Sequence, residues 1–272
     1  MLSDFWSALL SEAFLQNAII GGALASFVCG VMGPFVYVRQ IGYVAGAIAH
    51  TVLGGMGMAF YFGFSPMLGA LTSAVAAAFL IGWVSLYHRD REDSIINALW
   101  AAGMAVGIIF IYKTPGYDVQ LLSYLFGNIL MITYDDLKLM AVLGVIIFTC
   151  IMLFYPKLLA VAFDEEFARI RKINVRFYYF MLLVLIAITT VLLVQIVGLV
   201  LVITLLVLPT ATAATFKRSM VGIMGGAVVG GLLLTEGGVF LSYGLNLPSG
   251  PTVILLCTVV YLLAISYRWL KS

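Results

Sequence analysis

Two ionisable side chains sit inside long apolar runs of this sequence, and they are where the chain could do chemistry. His50 lies in Gly46-Ala47-Ile48-Ala49-His50-Thr51-Val52-Leu53-Gly54-Gly55, and Glu236 in Thr235-Glu236-Gly237-Gly238. An ionisable group in hydrocarbon is expensive enough to count as a functional candidate by default. Imidazole is a borderline-soft ligand for zinc, iron and related ions, and it is neutral over much of the physiological pH range. The small residues around His50 let another helix or an ion come close. A carboxylate such as Glu236 can attract cations at an outer vestibule. Each has a plainer alternative: His50 as a histidine bonded to a backbone carbonyl across helices, and Glu236 as a solvated residue at the end of its run.

Pro209, in Leu205-Leu206-Val207-Leu208-Pro209-Thr210-Ala211-Thr212-Ala213, removes a helix hydrogen bond and frees carbonyls upstream. It predicts a break or kink, and broken helices often line the pathway in transport proteins. Gln195 opens a second candidate interruption, 195–198, within an apolar run over 177–213 that is too long for one untilted span of roughly 20 residues. Asn97, Thr204, Thr210 and Thr212 are polar residues of the kind that bond between membrane helices. Gly222, Gly226 and Gly230, with Gly225 beside them, make a flat strip for close helix approach, within the chain or between copies. Cys29, Cys150 and Cys257 stand singly in apolar runs without metal-site spacing and read as core residues. The sequence contains no GxxxxGK[ST] loop, no HExxH pair and no paired intramembrane aspartates, which argues against an intramembrane enzyme.

The elements that must position these residues follow from composition. Of 272 residues, 64% are apolar and 10% charged, against roughly 45–50% and about 25% in soluble domains. An all-α, polytopic membrane protein is therefore expected, as a single membrane domain over 1–272. The net charge of +2 provides no basic footprint for nucleic acid. Residues 1–10 carry Asp4 and no Lys or Arg, so no cleaved secretory leader is expected.

Apolar runs of spanning length occur at 14–37, 43–62, 66–87, 95–112, 137–155, 177–195, 197–213, 220–241 and 251–269. Basic residues follow every second run: Arg39, the His88-Arg89-Asp90-Arg91 group, the 157–176 segment, Lys217-Arg218, and Arg268 with Lys271. Nine spans, with the N-terminus outside and the C-terminus cytoplasmic, satisfy the positive-inside rule. Eight remain if the first run or the divided pair is not a full crossing. In this frame Glu236 stands nearer the outer surface than His50 by roughly 15 Å, so a shared site needs a broken or tilted helix.

Two connections are unusual. The extracytoplasmic connection 113–136 contains Pro115-Gly116-Tyr117 and an apolar stretch over 121–130, which suits a short outer helix or a partly inserted segment. The cytoplasmic connection 156–176 holds Phe163-Asp164-Glu165-Glu166-Phe167-Ala168-Arg169-Ile170-Arg171. Its acids precede its bases, as the helix dipole favours, and Phe163, Phe167 and Ile170 at i, i+4 and i+7 form an apolar ridge. Such a helix lies in the headgroup region or docks a cytoplasmic partner.

Six ordered landmarks cover nearly the whole chain: Val36-Tyr37-Val38-Arg39 leading to His50 and Gly54-Gly55; Arg91-Glu92-Asp93 with Leu99-Trp100-Ala101-Ala102-Gly103-Met104-Ala105; Ser123-Tyr124-Leu125-Phe126-Gly127-Asn128-Ile129-Leu130; Phe163-Asp164-Glu165-Glu166-Phe167-Ala168; Val197-Gly198-Leu199-Val200-Leu201-Val202 with Leu208-Pro209; and Leu247-Pro248-Ser249-Gly250-Pro251. In these the chain resembles the membrane permease subunit of the ABC importers for divalent metals.

The resemblance implies a permease fold in a prokaryotic plasma (inner) membrane, paired with a second copy. It also implies two cytoplasmic ATPase subunits that bind the ATP, and an extracytoplasmic metal-binding protein. The chain itself would hold no cofactor and would pass a divalent ion, zinc first, then manganese or iron. His50 matches the family's membrane histidine. The segment from Phe163 to Arg169 matches its coupling helix. One departure stands: many members carry Asp four residues before the histidine, where this chain has Gly46. The alternatives are a permease for metal chelates (siderophore or cobalamin) and an ion channel or secondary carrier.

Overall fold

Among the described residues, nine apolar stretches fold into helices long enough to cross a bilayer, and glycines decide where several of them end or touch. The computed structural model describes residues 11–88, 90, 92–114, 127, 129 and 132–271, with the main chain alone at 195 and 196. Its helices are α1 Ala13–Val38, α2 Gly42–Phe62, α3 Pro66–Tyr87, α4 Glu92–Lys113, α5 Tyr134–Phe163, α6 Glu165–Ile170, α7 Val175–Val197, α8 Leu199–Phe216, α9 Met220–Leu245 and α10 Ser249–Lys271. No strand occurs among the described residues. All but α6 are long and apolar enough to span a membrane. The N-terminal residues 1–10 and most of the apolar stretch in the connection 113–136 lie outside the described residues.

The long run at 177–213 divides as its length requires. Gly198, with φ +85° and ψ 159°, separates α7 from α8, in a backbone region that is essentially glycine's alone. Pro209, by contrast, lies inside α8, and helical structure runs from Leu199 to Phe216. Of the break or kink expected at Pro209, the break does not occur, and the interruption falls at Gly198. One missing hydrogen bond is tolerated because the helix is packed there: Leu205, Leu206, Pro209, Thr210 and Ala211 are buried.

A second correction concerns α5. The expected connection at 156–176 begins later, because the helix continues through Pro156 to Phe163. Leu158, Val161 and Ala162 are buried, and their packing holds the last two turns despite the proline. Phe163 therefore ends α5 and does not start the short helix. Asp164 caps α6, its Oδ1 accepting from the amides of Glu166 and Phe167 at 2.9 and 3.0 Å. Replacing Asp164 with alanine is expected to destabilise α6 locally by about 1 kcal/mol, read as faster hydrogen exchange at those two amides.

The helices group into two compact units. The first comprises Met1–Tyr37, Leu122–Phe148 and Leu192–Ser272. In it α1 and α9 meet through small residues. A β-carbon at Gly30 would lie 2.6 Å from the Val228 backbone nitrogen, one at Gly231 would lie 3.3 Å from Ser26 Cβ, and the hydroxyls of Ser26 and Thr235 bond at 3.0 Å. The expected glycine strip is only partly the seam. Gly226 packs on Ala213 of α8, whereas β-carbons at Gly225 and Gly230 would meet nothing within 4 Å. Positions spaced by four drift roughly 40° per step around a helix of 3.6 residues per turn, so the strip leaves the contact that Val228, Gly231 and Thr235 keep. Cys29 and Cys257 are buried free thiols of this unit.

The second unit comprises Val38–Leu121 and Thr149–Val191. Here α2 is wedged between α3 and α4 at backbone-to-backbone distance. A β-carbon at Gly54 would lie 2.8 Å from the Gly103 carbonyl oxygen, and one at Gly57 would lie 2.5 Å from that of Gly107. On the other side, Gly55 meets the Gly69 carbonyl and Ser73 Oγ. Such contacts require glycine, and they fix the rotation of α2.

Candidate functional site

His50 sits in α2, eight residues after its first residue, Gly42, or about 12 Å along the helix. It is 7% exposed. The close approach of α4 brings Trp100 over its ring, with centroids 4.6 Å apart and planes 25° apart. Three residues on, Gly103 lets α4 touch the His50 carbonyl: a β-carbon there would lie 2.9 Å from that oxygen. The next hydroxyl, Thr51 Oγ1, donates to the Ala47 carbonyl at 2.8 Å. His50 Nδ1 is buried with no hydrogen-bond partner among the described residues.

That geometry bears on the bland reading of His50. A structural histidine would spend its ring nitrogens on carbonyls, whereas this one is held by stacking and keeps Nδ1 uncommitted. Gly46, one turn earlier, is buried and brings no carboxylate. Among the described residues no three His, Cys, Asp or Glu side chains come together. A single imidazole is a weak and transient ligand, which suits an ion that must leave as readily as it enters.

Glu236 belongs to the other unit. α9 extends to Leu245, so Glu236 lies nine residues inside its end and is not the solvated terminal residue that one sequence reading allowed. Both carboxylate oxygens are buried without a hydrogen-bond partner among the described residues. Gly22 of α1 makes the room: a β-carbon there would lie 3.2 Å from Glu236 Oε1. Thus His50 and Glu236 each have their own neighbours in their own unit. Pro209 stands beside Thr210, whose Oγ1 approaches Gly33 of α1. The Gln195 side chain lies outside the described residues.

The segment expected to dock a partner leaves its three apolar side chains exposed, but on two helices, Phe163 at the end of α5 and Phe167 and Ile170 on α6. Phe163, Phe167 and Ile170 are 61%, 45% and 80% exposed. Asp164, Glu166 and Arg169 are also exposed, whereas Ala168 is buried and Glu165 turns inward. Sequence reasoning missed what Glu165 turns toward. Its Oε1 accepts from Arg39 Nη2 at 2.6 Å, a contact whose only sequence signal is complementary charge in two connections on one side of the membrane. Trp100 was legible as a landmark but not as the neighbour of His50.

Nine helices of spanning length among the described residues define a polytopic membrane protein. The model of the ABC 3 transport family matches residues 11–268, and the chain belongs to that family. It is 38% identical to an uncharacterised membrane protein of Synechocystis, over 95% of this chain and 92% of that one. It is 34% identical to the manganese transport system membrane protein MntC of Halalkalibacterium halodurans, over 97% and 90%. Among solved structures it is similar to PsaBC from Streptococcus pneumoniae in complex with Fab, with a TM-score of 0.89, 29% identity and complete coverage of both chains.

Proposed function

We propose that this chain is the membrane-spanning subunit of an ATP-driven importer that carries a divalent transition metal, manganese first, into the cytoplasm. The observation that carries the reading is His50, a buried imidazole with an uncommitted Nδ1 in a chain similar almost end to end to a manganese transport system membrane protein. Zinc and ferrous iron suit the same ligand, but manganese stands ahead of them because it is the ion in that relative's name. His50 and Glu236 lie on the ion's route, with Gln195 and Pro209 in the helices that flank the break at Gly198. The coordination is weak by design, since a conducting site must also release.

The partners follow from the reading. Two copies of the chain pair in a prokaryotic inner membrane, two ATPase subunits bind ATP on the cytoplasmic face, and an extracytoplasmic protein delivers the metal. The bond between Arg39 and Glu165 supports the topology, because it joins two connections that the positive-inside rule assigns to the same side. The cytoplasmic end then carries Phe163, Asp164, Glu166, Phe167 and Arg169 to the ATPase, with Phe163, Phe167 and Ile170 as anchors, while Glu165 and Ala168 of the same segment turn inward and hold it to the permease. The C-terminus ends on that side, where Arg268 and Lys271 close α10.

Copurification tests the reading. The tagged chain is expected to bring down an ATP-hydrolysing subunit, whereas a channel or secondary carrier would bring none. Replacing Ile170 with aspartate is expected to lower the recovered ATPase by about tenfold or more, the effect of losing one well-packed anchor. Undiminished recovery would remove the ridge from the interface.

A further inference from the structure

We propose that Arg39 and Glu165 form a strut through which the short helix α6 sets the position of α2, the helix that bears His50; this rests on the importer reading. Arg39 lies in the turn between α1 and α2. Its guanidinium touches three other elements at once. Nη2 donates to Glu165 Oε1 at 2.6 Å, Nη1 donates to the Val161 carbonyl at 3.3 Å, and the guanidinium carbon stands 4.9 Å from the centre of the Tyr179 ring. Those are the first residue of α6, the last turn of α5 and the first half of α7. The paired side chains are 17% and 15% exposed, so water and salt screen the attraction far less than at a surface pair. A planar fork with several fixed donors can serve Glu165 and the Val161 carbonyl together, which an ammonium on a flexible stem does poorly.

The other end of the strut is covalent. Only Gln40 and Ile41 separate Arg39 from Gly42, the start of α2. Neither works as a slack tether: Gln40 is held at φ +57°, and Ile41 is 5% exposed. A shift of Glu165 therefore reaches the first turn of α2 directly, and a continuous helix carries it about 12 Å to His50. The first turn of α2 is tied onward as well. Tyr43 Oη donates to Glu92 Oε1 at 3.4 Å, and Ser85 Oγ donates to the same oxygen. These bonds, with the glycine contacts of α2, make α2, α3 and α4 respond together. A cavity of about 220 Å³ lined by Arg39, Tyr43, Glu92 and Glu165 adjoins the strut, giving the polar side chains room for a second arrangement when α6 moves.

The test uses the complete complex in proteoliposomes, with ATPase subunits and metal-loaded binding protein, and reads manganese moved per ATP hydrolysed. Arg39→Gln is expected to lower that ratio by about fivefold or more, the lower end of ordinary coupling between sites. ATPase subunits should still copurify. Glu165→Gln should do the same, and the double variant should be no worse than the more affected single one, because both remove the link between these two side chains. A ratio within about twofold of wild type in both single variants, or losses that multiply in the double, would overturn the strut. If Arg39→Gln fails to assemble, Glu165→Gln decides by the same ratio. Failure of the wild-type complex to move manganese would instead overturn the importer reading.

Discussion

Replacing His50 with alanine is expected to lower ATP-dependent metal uptake by about tenfold or more while leaving the complex assembled. The loss should be large because, on the proposed reading, His50 is the one His, Cys, Asp or Glu of α2: Gly46, one turn earlier, brings no carboxylate, and among the described residues no cluster of three such groups stands behind it. Weakening even an outer partner of a metal ligand costs about 10- to 100-fold. Assembly should survive because Nδ1 bonds to nothing among the described residues, so no hydrogen bond at that atom is lost. Uptake of radioactive manganese, with ATPase copurification as the assembly control, reads both. Trp100→Ala is expected to fall between wild type and His50→Ala, since it frees the ring to turn without removing it.

The second large effect is on stability. Gly57→Val would put a β-carbon 2.5 Å from the Gly107 carbonyl oxygen and 2.9 Å from its Cα, and neither atom belongs to a side chain that can turn aside. Overpacking of this kind costs about 3 kcal/mol, the upper end of its ordinary range. Gly225→Val is the control, because a β-carbon there meets nothing within 4 Å; it should change stability by less than about 1 kcal/mol. Heating the purified proteins in detergent and following the monodisperse fraction distinguishes them. Equal losses would show that the α2 to α4 approach is not rigid.

The spans were legible because bilayer thickness dictates the length of an apolar run, and Gly198 because a run of that length must be cut somewhere. Two expectations failed in the same way at a proline: the run expected to end at 155 continues through Pro156 to Phe163, and the helix expected to break or kink at Pro209 continues to Phe216. In a packed bundle, burial of Leu158 and Val161 after Pro156, and of Leu205, Leu206 and Pro209 itself in α8, outweighs one missing amide. Local sequence does not reveal that compensation.

The site was half legible. His50 and Glu236 announce themselves by type, since hydrocarbon tolerates few such groups. Their surroundings depend on helix rotation, which glycine contacts set and a linear sequence does not display. Trp100 reaches His50 only because Gly54 and Gly103 bring α2 and α4 together. Arg39 and Glu165 are 126 positions apart, and their pairing follows from how α5, α6 and α7 stack on the turn after α1.

The importer assignment is tested most directly by manganese uptake into proteoliposomes that hold this chain with its ATPase subunits and metal-loaded binding protein, with and without ATP and with zinc and ferrous iron as competitors. Accumulation that requires ATP and is lost in the His50→Ala complex is the expected result. Accumulation independent of ATP, or none of any ion by a complex that hydrolyses ATP, would contradict it.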